Sequence, residues 1–188
     1  MKERVLIAGV GNVFLSDDGF GVEVVRRLAE HELPRHVEVA DIGVRGVDLA
    51  YRLLDGYGTC ILIDACARGG EPGTLYRIDA RSAASGPTQA AAFDGHRMTP
   101  DAVLGLLDTL SVGTGEEPPH TVTVLGCEPA CVEEGMGLSE SVAASVPRAV
   151  QLILRMIETE AGQRPDQSHS QPTGPAQGAY TPVETGAH

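Results

Sequence analysis

Residues 5–28, VLIAGVGNVFLSDDGFGVEVVRRL, constrain this chain more than any other stretch. Val5-Leu6-Ile7-Ala8 is a short, largely aliphatic run suited to a buried parallel strand. Gly9-Val10-Gly11-Asn12 breaks it with residues that tolerate positive φ or a close backbone approach. Ser16 is expected to cap a helix, with Asp17 and Asp18 in the first turn, where the helix dipole favours negative charge. Phe20, Val24 and Leu28 then recur at helical spacing, with Glu23, Arg26 and Arg27 on other faces. The unit reads as strand, glycine turn, acidic loop, helix.

Strand–GxG–helix is also the pattern of a dinucleotide-binding turn, and Asp41, after the apolar Val37 and Val39, stands where a ribose-binding acid would. Two features oppose that reading. Phe14 takes the place of the third glycine, the one that permits tight helix–strand packing. Asp17 and Asp18 bring two carboxylates to the helix end where a pyrophosphate would sit. Such a site repels phosphate and attracts a cation.

The remaining chain alternates strand and helix. His36–Asp41 reads as a second strand, and residues 43–54 as a turn and short helix burying Val47, Leu49 and Leu53. Cys60-Ile61-Leu62-Ile63-Asp64 is a continuous apolar strand ending in a carboxylate, and Thr74–Ile78 a further strand. Residues 80–95 have no periodicity and read as a mobile loop leading into His96. Thr99 and Pro100 open a helix whose apolar face is Val103, Leu106, Leu107 and Leu110, and residues 113–119 read as a loop. Thr121–Leu125 is the last strand. Ser139 caps a final helix with the stripe Val142, Val146, Val150, Ile153 and Ile157. The expected fold is α/β, a single three-layer domain over residues 1–160 with a twisted, mostly parallel sheet between helices. Residues 163–188, rich in Pro, Gly, Gln, Ser and Thr, are expected to form a disordered tail.

Charge and cysteine usage narrow the partners. A formal net charge of −12 makes nucleic acid and anionic membranes poor ones. No secretory leader is read in Met1-Lys2-Glu3-Arg4 and no bilayer-spanning run follows, so a cytoplasmic protein is expected, as a monomer. The four cysteines lack zinc-type pairing and read as reduced thiols, Cys60 simply packing in its strand. His31-Glu32 resembles the start of a zinc-protease HExxH, but no second histidine follows and Pro34 stops the helix.

Ligands of doubly wound sheets sit beyond the carboxyl ends of the strands. Asp18 follows the first strand, Asp64 ends the third, and His96 follows the long loop. Two carboxylates and an imidazole suit a borderline divalent metal such as nickel or zinc, and three protein ligands leave positions open for a substrate. Each residue has a plainer role: Asp18 balancing a helix dipole, Asp64 accepting backbone hydrogen bonds, His96 solvated on a polar loop. Cys66, Cys127 and Cys131 fall near the same edge, where buried thiols are the simpler reading.

The order Gly9-Val10-Gly11-Asn12, Asp17-Asp18-Gly19-Phe20-Gly21, Ile63-Asp64-Ala65, His96, Gly126-Cys127-Glu128-Pro129 and Gly137-Leu138-Ser139 resembles that of the nickel–iron hydrogenase maturation endopeptidases. The resemblance runs from about Val5 to Leu154. It implies a twisted five-stranded sheet between helices, and a peptidase that removes the C-terminal extension of a hydrogenase large-subunit precursor after nickel insertion. It also implies that Asp18, Asp64 and His96 are the nickel-sensing and catalytic residues, with nickel supplied by the precursor. Glu128 stands where many relatives carry glutamine. The rival readings are a non-hydrolytic nickel-binding chaperone and a nucleotide-binding module. A cysteine or serine mechanism is not expected, because His96 is committed to metal and the nearby carboxylates oppose a thiolate.

Overall fold

Strands form where the apolar runs are, and alternation within them builds two separate cores. In a computed structural model, which describes residues 3–80, 100–162 and 181–182, β1 (Arg4–Val10) and β3 (Tyr57–Ala65) are adjacent inner strands. β2 (Val37–Gly43) lies outside β1, and β5 (Thr121–Cys127) beside β3. These four are parallel, with Ile7 opposite both Val39 and Ile61, and Asp64 opposite Gly126. β4 (Leu75–Asp79) runs antiparallel along β5, so the sheet is mostly parallel, as expected. A sixth strand of two residues, β6 (Thr181–Pro182), pairs with β4 and was not anticipated. The rest of the expected disordered tail lies outside the described residues.

Val5, Ile7, Ile61, Ile63 and Leu125 project to one face, under α1 (Phe20–Leu28) and α4 (Glu140–Gly162). Phe20, Val24 and Leu28 meet Val142, Val146, Val150, Ile153 and Ile157 there, the two stripes read from helical spacing. Leu6, Ala8, Cys60, Leu62, Val122 and Val124 face the other way, under α2 (Gly46–Arg52) and α3 (Pro100–Thr114), which bury Leu49, Val103 and Leu107. Strands buried on both faces read as unbroken apolar runs, which is why β3 was so plain in the sequence.

The differences from expectation are local. Val47 faces solvent rather than the core, because α2 is only seven residues long and turns Leu49 and Ala50 inward. α3 continues to Thr114, and Gly115 at φ +75° ends it with its N–H on the Ser111 carbonyl. Ser16 does not cap α1. It sits at φ +48°, at the start of a short 3-10 helix (Ser16–Gly19), and its hydroxyl donates instead to the Glu133 carbonyl at 3.1 Å. Thr99 and the loop of residues 81–95 lie outside the described residues. No helix among the described residues is long and apolar enough to cross a membrane.

Candidate active site

Close backbone approach sets the site. Helix α1 crosses the sheet at glycines: a Cβ on Gly21 would overlap the Ile63 and Val10 carbonyl oxygens, and one on Gly9 would overlap Gly21. The tight packing denied by Phe14 is thus achieved by Gly9 against Gly21. Gly11, at φ +120°, lies so near the Asp18 carbonyl that a side chain has no room. These contacts press the 3-10 helix against the carboxyl end of β3.

Asp18 is half-buried and takes the Asn12 N–H on Oδ2 at 2.7 Å. Asp64, also half-buried, takes the Ala65 N–H on Oδ1 at 2.8 Å. Burial raises the Asp64 carboxyl, the charge of Asp18 raises it further, and the Ala65 amide offsets part of this, leaving it at about 7. The pair lies at the ends of β1 and β3, where the strand order β2-β1-β3-β5 reverses its direction of growth. A carboxyl that exchanges its proton near neutrality beside a charged carboxylate is equipped for acid–base chemistry. The same pair offers two oxygen donors whose mutual repulsion a divalent cation would relieve. His96 lies outside the described residues, and among those described no three acidic, histidine or cysteine side chains gather as a metal site.

Two acids with structural roles were missed. Asp17 is fully buried and accepts the N–H groups of Ala130 (2.8 Å), Cys131 (3.0 Å) and Ser139 (2.6 Å), and the Ser139 hydroxyl (2.9 Å). Burial alone would raise its pKa, but these donors outweigh it and hold the carboxyl below the usual range. Asp17 therefore sews the 3-10 helix to the loop between β5 and α4. The Ser139 hydroxyl, expected to cap α4, is spent on Asp17. Glu128 is likewise buried and accepts from the Arg68 and Gly69 amides and the Tyr76 hydroxyl, fixing the loop after β3. Burial opposes its charge, and these donors prevail to lower its pKa. The only signal for either acid was its place beside a motif residue.

The glycine turn and the loop after it spend most of their amides internally. The amides of Gly11, Asn12, Phe14, Leu15, Ser16, Asp17 and Asp18 are all taken, by Gly43, Asp18, Asn12, Asn12, Gly135, Cys131 and Leu15 respectively. A pyrophosphate needs such amides unspent. Asp41 is paired with Arg26 at 3.5 Å rather than poised for a ribose. The cysteines do not converge either. Cys127 is buried on the α1–α4 face, its Sγ 3.3 Å from the Ser145 hydroxyl, whereas Cys66 packs against the opposite core and Cys131 is exposed. Burial pushes the thiols of Cys60 and Cys127 up, away from thiolate.

Comparison with known proteins agrees on one family. The family model described as hydrogenase maturation protease matches residues 22–156. The hydrogenase expression/formation protein HupD of Rhodobacter capsulatus is 33% identical over 151 residues, covering 79% of this chain and 68% of its own length. The hydrogenase maturating endopeptidase HybD of Escherichia coli superposes with a TM-score of 0.64 at 30% identity, covering 83% of this chain and 93% of that one. The crystal structure of a hydrogenase 2 maturation peptidase from a Thaumarchaeota archaeon gives 0.61 at 34% identity, covering 82% and 98%.

Proposed function

This chain belongs to the hydrogenase maturation protease family, a family of endopeptidases, and on that premise we propose that it removes the C-terminal extension of a nickel–iron hydrogenase large-subunit precursor once nickel is in place. The observation that carries the chemistry is the unequal acid pair, with Asp64 near pH 7 beside Asp18. About 7 is the value of the metal-free protein, and a dication held beside Asp64 would keep the carboxylate charged and ready to act as a base. In its charged form it takes a proton from a water directed at the scissile carbonyl; in its acid form it returns one to the departing amine. Asp18, anchored by the Asn12 amide, keeps Asp64 basic enough for the first step. The peptidase would thus be of the aspartyl type.

Nickel enters this reading as part of the substrate. Asp18 and Asp64 supply hard oxygen donors, and His96 an imidazole, a set that suits a borderline dication also held by the precursor's own ligands. Bound there, the metal would add Lewis-acid polarisation of a carbonyl and would report that the precursor is loaded. Four cysteines without a disulfide favour a reducing, cytoplasmic setting, and a net charge of −12 favours a monomer.

The test incubates the protein with nickel-loaded precursor and follows the product by mass spectrometry. Asp18→Ala, Asp64→Ala and His96→Ala should each lose at least about a hundredfold in rate, the scale of general acid–base catalysis. Nickel-free precursor should resist the parent protein. Parent-rate cleavage by all three variants refutes the assignment. Nickel transfer without any shortened product would favour the chaperone reading instead.

A further inference from the structure

Phe14 and Met136 are large apolar side chains left 63% and 80% exposed on an otherwise well-bonded part of the molecule. Their exposure does not come from loose packing. The Gly135 N–H donates to the Phe14 carbonyl at 2.9 Å, the Ser16 N–H donates to the Gly135 carbonyl at 2.9 Å, and Leu15 bridges Gly135 in parallel. The Ser16 hydroxyl adds its bond to Glu133, and a Cβ on Gly135 would crowd that hydroxyl at 2.6 Å. Ser16 is held at φ +48°, the one described non-glycine residue with positive φ. Backbone strain of this kind gathers where geometry serves a site.

The bridge also sets the two segments side by side. The Phe14 carbonyl accepts from Gly135, the residue before Met136, so the backbone bonds hold the two exposed side chains on neighbouring segments. The same stitched unit carries Asp18, two residues beyond Ser16, and is locked beneath by Asp17. The two apolar side chains and Asp18 thus stand on one bonded unit.

We propose that Phe14 and Met136 are the docking ledge for the substrate polypeptide, taking apolar side chains that flank the scissile bond. This rests on the peptidase reading above. A second copy of this chain is a poor occupant, since each carries a formal charge of −12 and Glu133 and Glu134 adjoin the ledge. The segment that fits is apolar with uncharged or basic flanks.

The experiment compares the parent protein with the double variant Phe14→Ser/Met136→Ser, using nickel-loaded precursor over a range of concentrations. Both side chains are exposed, so the melting temperature should stay within about 2 °C of the parent, as for a surface substitution. The loss should fall on KM, raised about tenfold or more, rather than on kcat. Phe14→Leu/Met136→Leu should restore most of it. An unchanged KM overturns the proposal. In an Asp64→Asn background, precursor affinity measured by fluorescence anisotropy should weaken in parallel. If the parent cleaves nothing, the peptidase reading fails, and this affinity decides the ledge alone: equal binding with and without it overturns the proposal. If sedimentation shows the parent as a dimer and the ledge variant as a monomer with parent KM, the ledge serves a second copy and the proposal is overturned.

Discussion

Replacing Asp17 by Asn keeps the shape of a buried side chain while removing its charge and one acceptor. Four donors converge on the parent carboxylate: three amides and the Ser139 hydroxyl. Placing the new NH2 at Oδ1 costs least, because only the Ser139 amide points there. That amide then faces another donor, a buried unsatisfied group worth about 1–3 kcal/mol, and the other three bonds lose their charge assistance. A total of roughly 3–4 kcal/mol follows, or about 6–16 °C in melting temperature for a chain of this size. The sign with pH is fixed. A carboxyl whose folded pKa lies below its unfolded value stabilises fully above the unfolded value, about 3.9, and loses that contribution as pH falls through the folded value. The gap between parent and Asp17→Asn should therefore be wide at pH 7 and shrink in acid, in thermal melts followed by circular dichroism. A shift under about 2 °C at pH 7, or an equal gap at pH 7 and in strong acid, would refute the role given to Asp17.

Asp64 should behave in the opposite sense: its folded pKa of about 7 means that the folded protein holds more protons than the unfolded chain between about pH 4 and 7, so metal-free stability falls as pH rises through that window. Asp64→Asn should remove that fall and stabilise the metal-free protein above pH 7 by about 2 kcal/mol in urea titrations, while abolishing cleavage. Gly21→Ala should cost about 3 kcal/mol or prevent folding, because the added methyl overlaps main-chain carbonyls rather than a movable side chain. Glu128→Gln should cost only about 1 kcal/mol in urea titrations, because an oxygen at Oε1 still takes the Arg68 and Gly69 amides and the Tyr76 hydroxyl can accept from the new NH2, leaving charge assistance as the loss. Cys66→Ser and Cys127→Ser should both keep cleavage, and an acyl-enzyme trapped on either would overturn the carboxylate mechanism.

What the sequence made legible was periodicity. The alternating faces of β1 and β3 and the stripes of α1 and α4 could be read because burial on one or both sides repeats in the chain. Asp18 and Asp64 were legible as candidates because strand ends in doubly wound sheets converge at the switch point. What could not be read was any arrangement made by contacts distant in sequence. Asp17 bonds to residues more than a hundred positions away, and nothing local distinguishes it from Asp18. Ser16 looked like a cap because Ser before Asp-Asp usually is one. Its conformation is set by Glu133 and Gly135, which the local pattern does not contain. The two-residue β6 carries no periodicity at all.

Asp17 and Asp18 show how environment divides labour between identical neighbours. Both stand in one short 3-10 helix, yet that turn directs one inward and the other towards β3. Asp17 meets four donors and becomes a permanent anion that fixes the loop before α4. Asp18 meets one amide and the Asp64 carboxyl, so its charge acts outward, on its neighbour's proton. Exchanging the demands is not possible: an acid saturated with donors is too weak a base, and an acid free to share a proton is too weak a clamp. The rigidity of the site and its reactivity thus come from adjacent residues. On the proposed mechanism a substitution at Asp17 disturbs both, whereas one at Asp64 should raise stability while it removes cleavage.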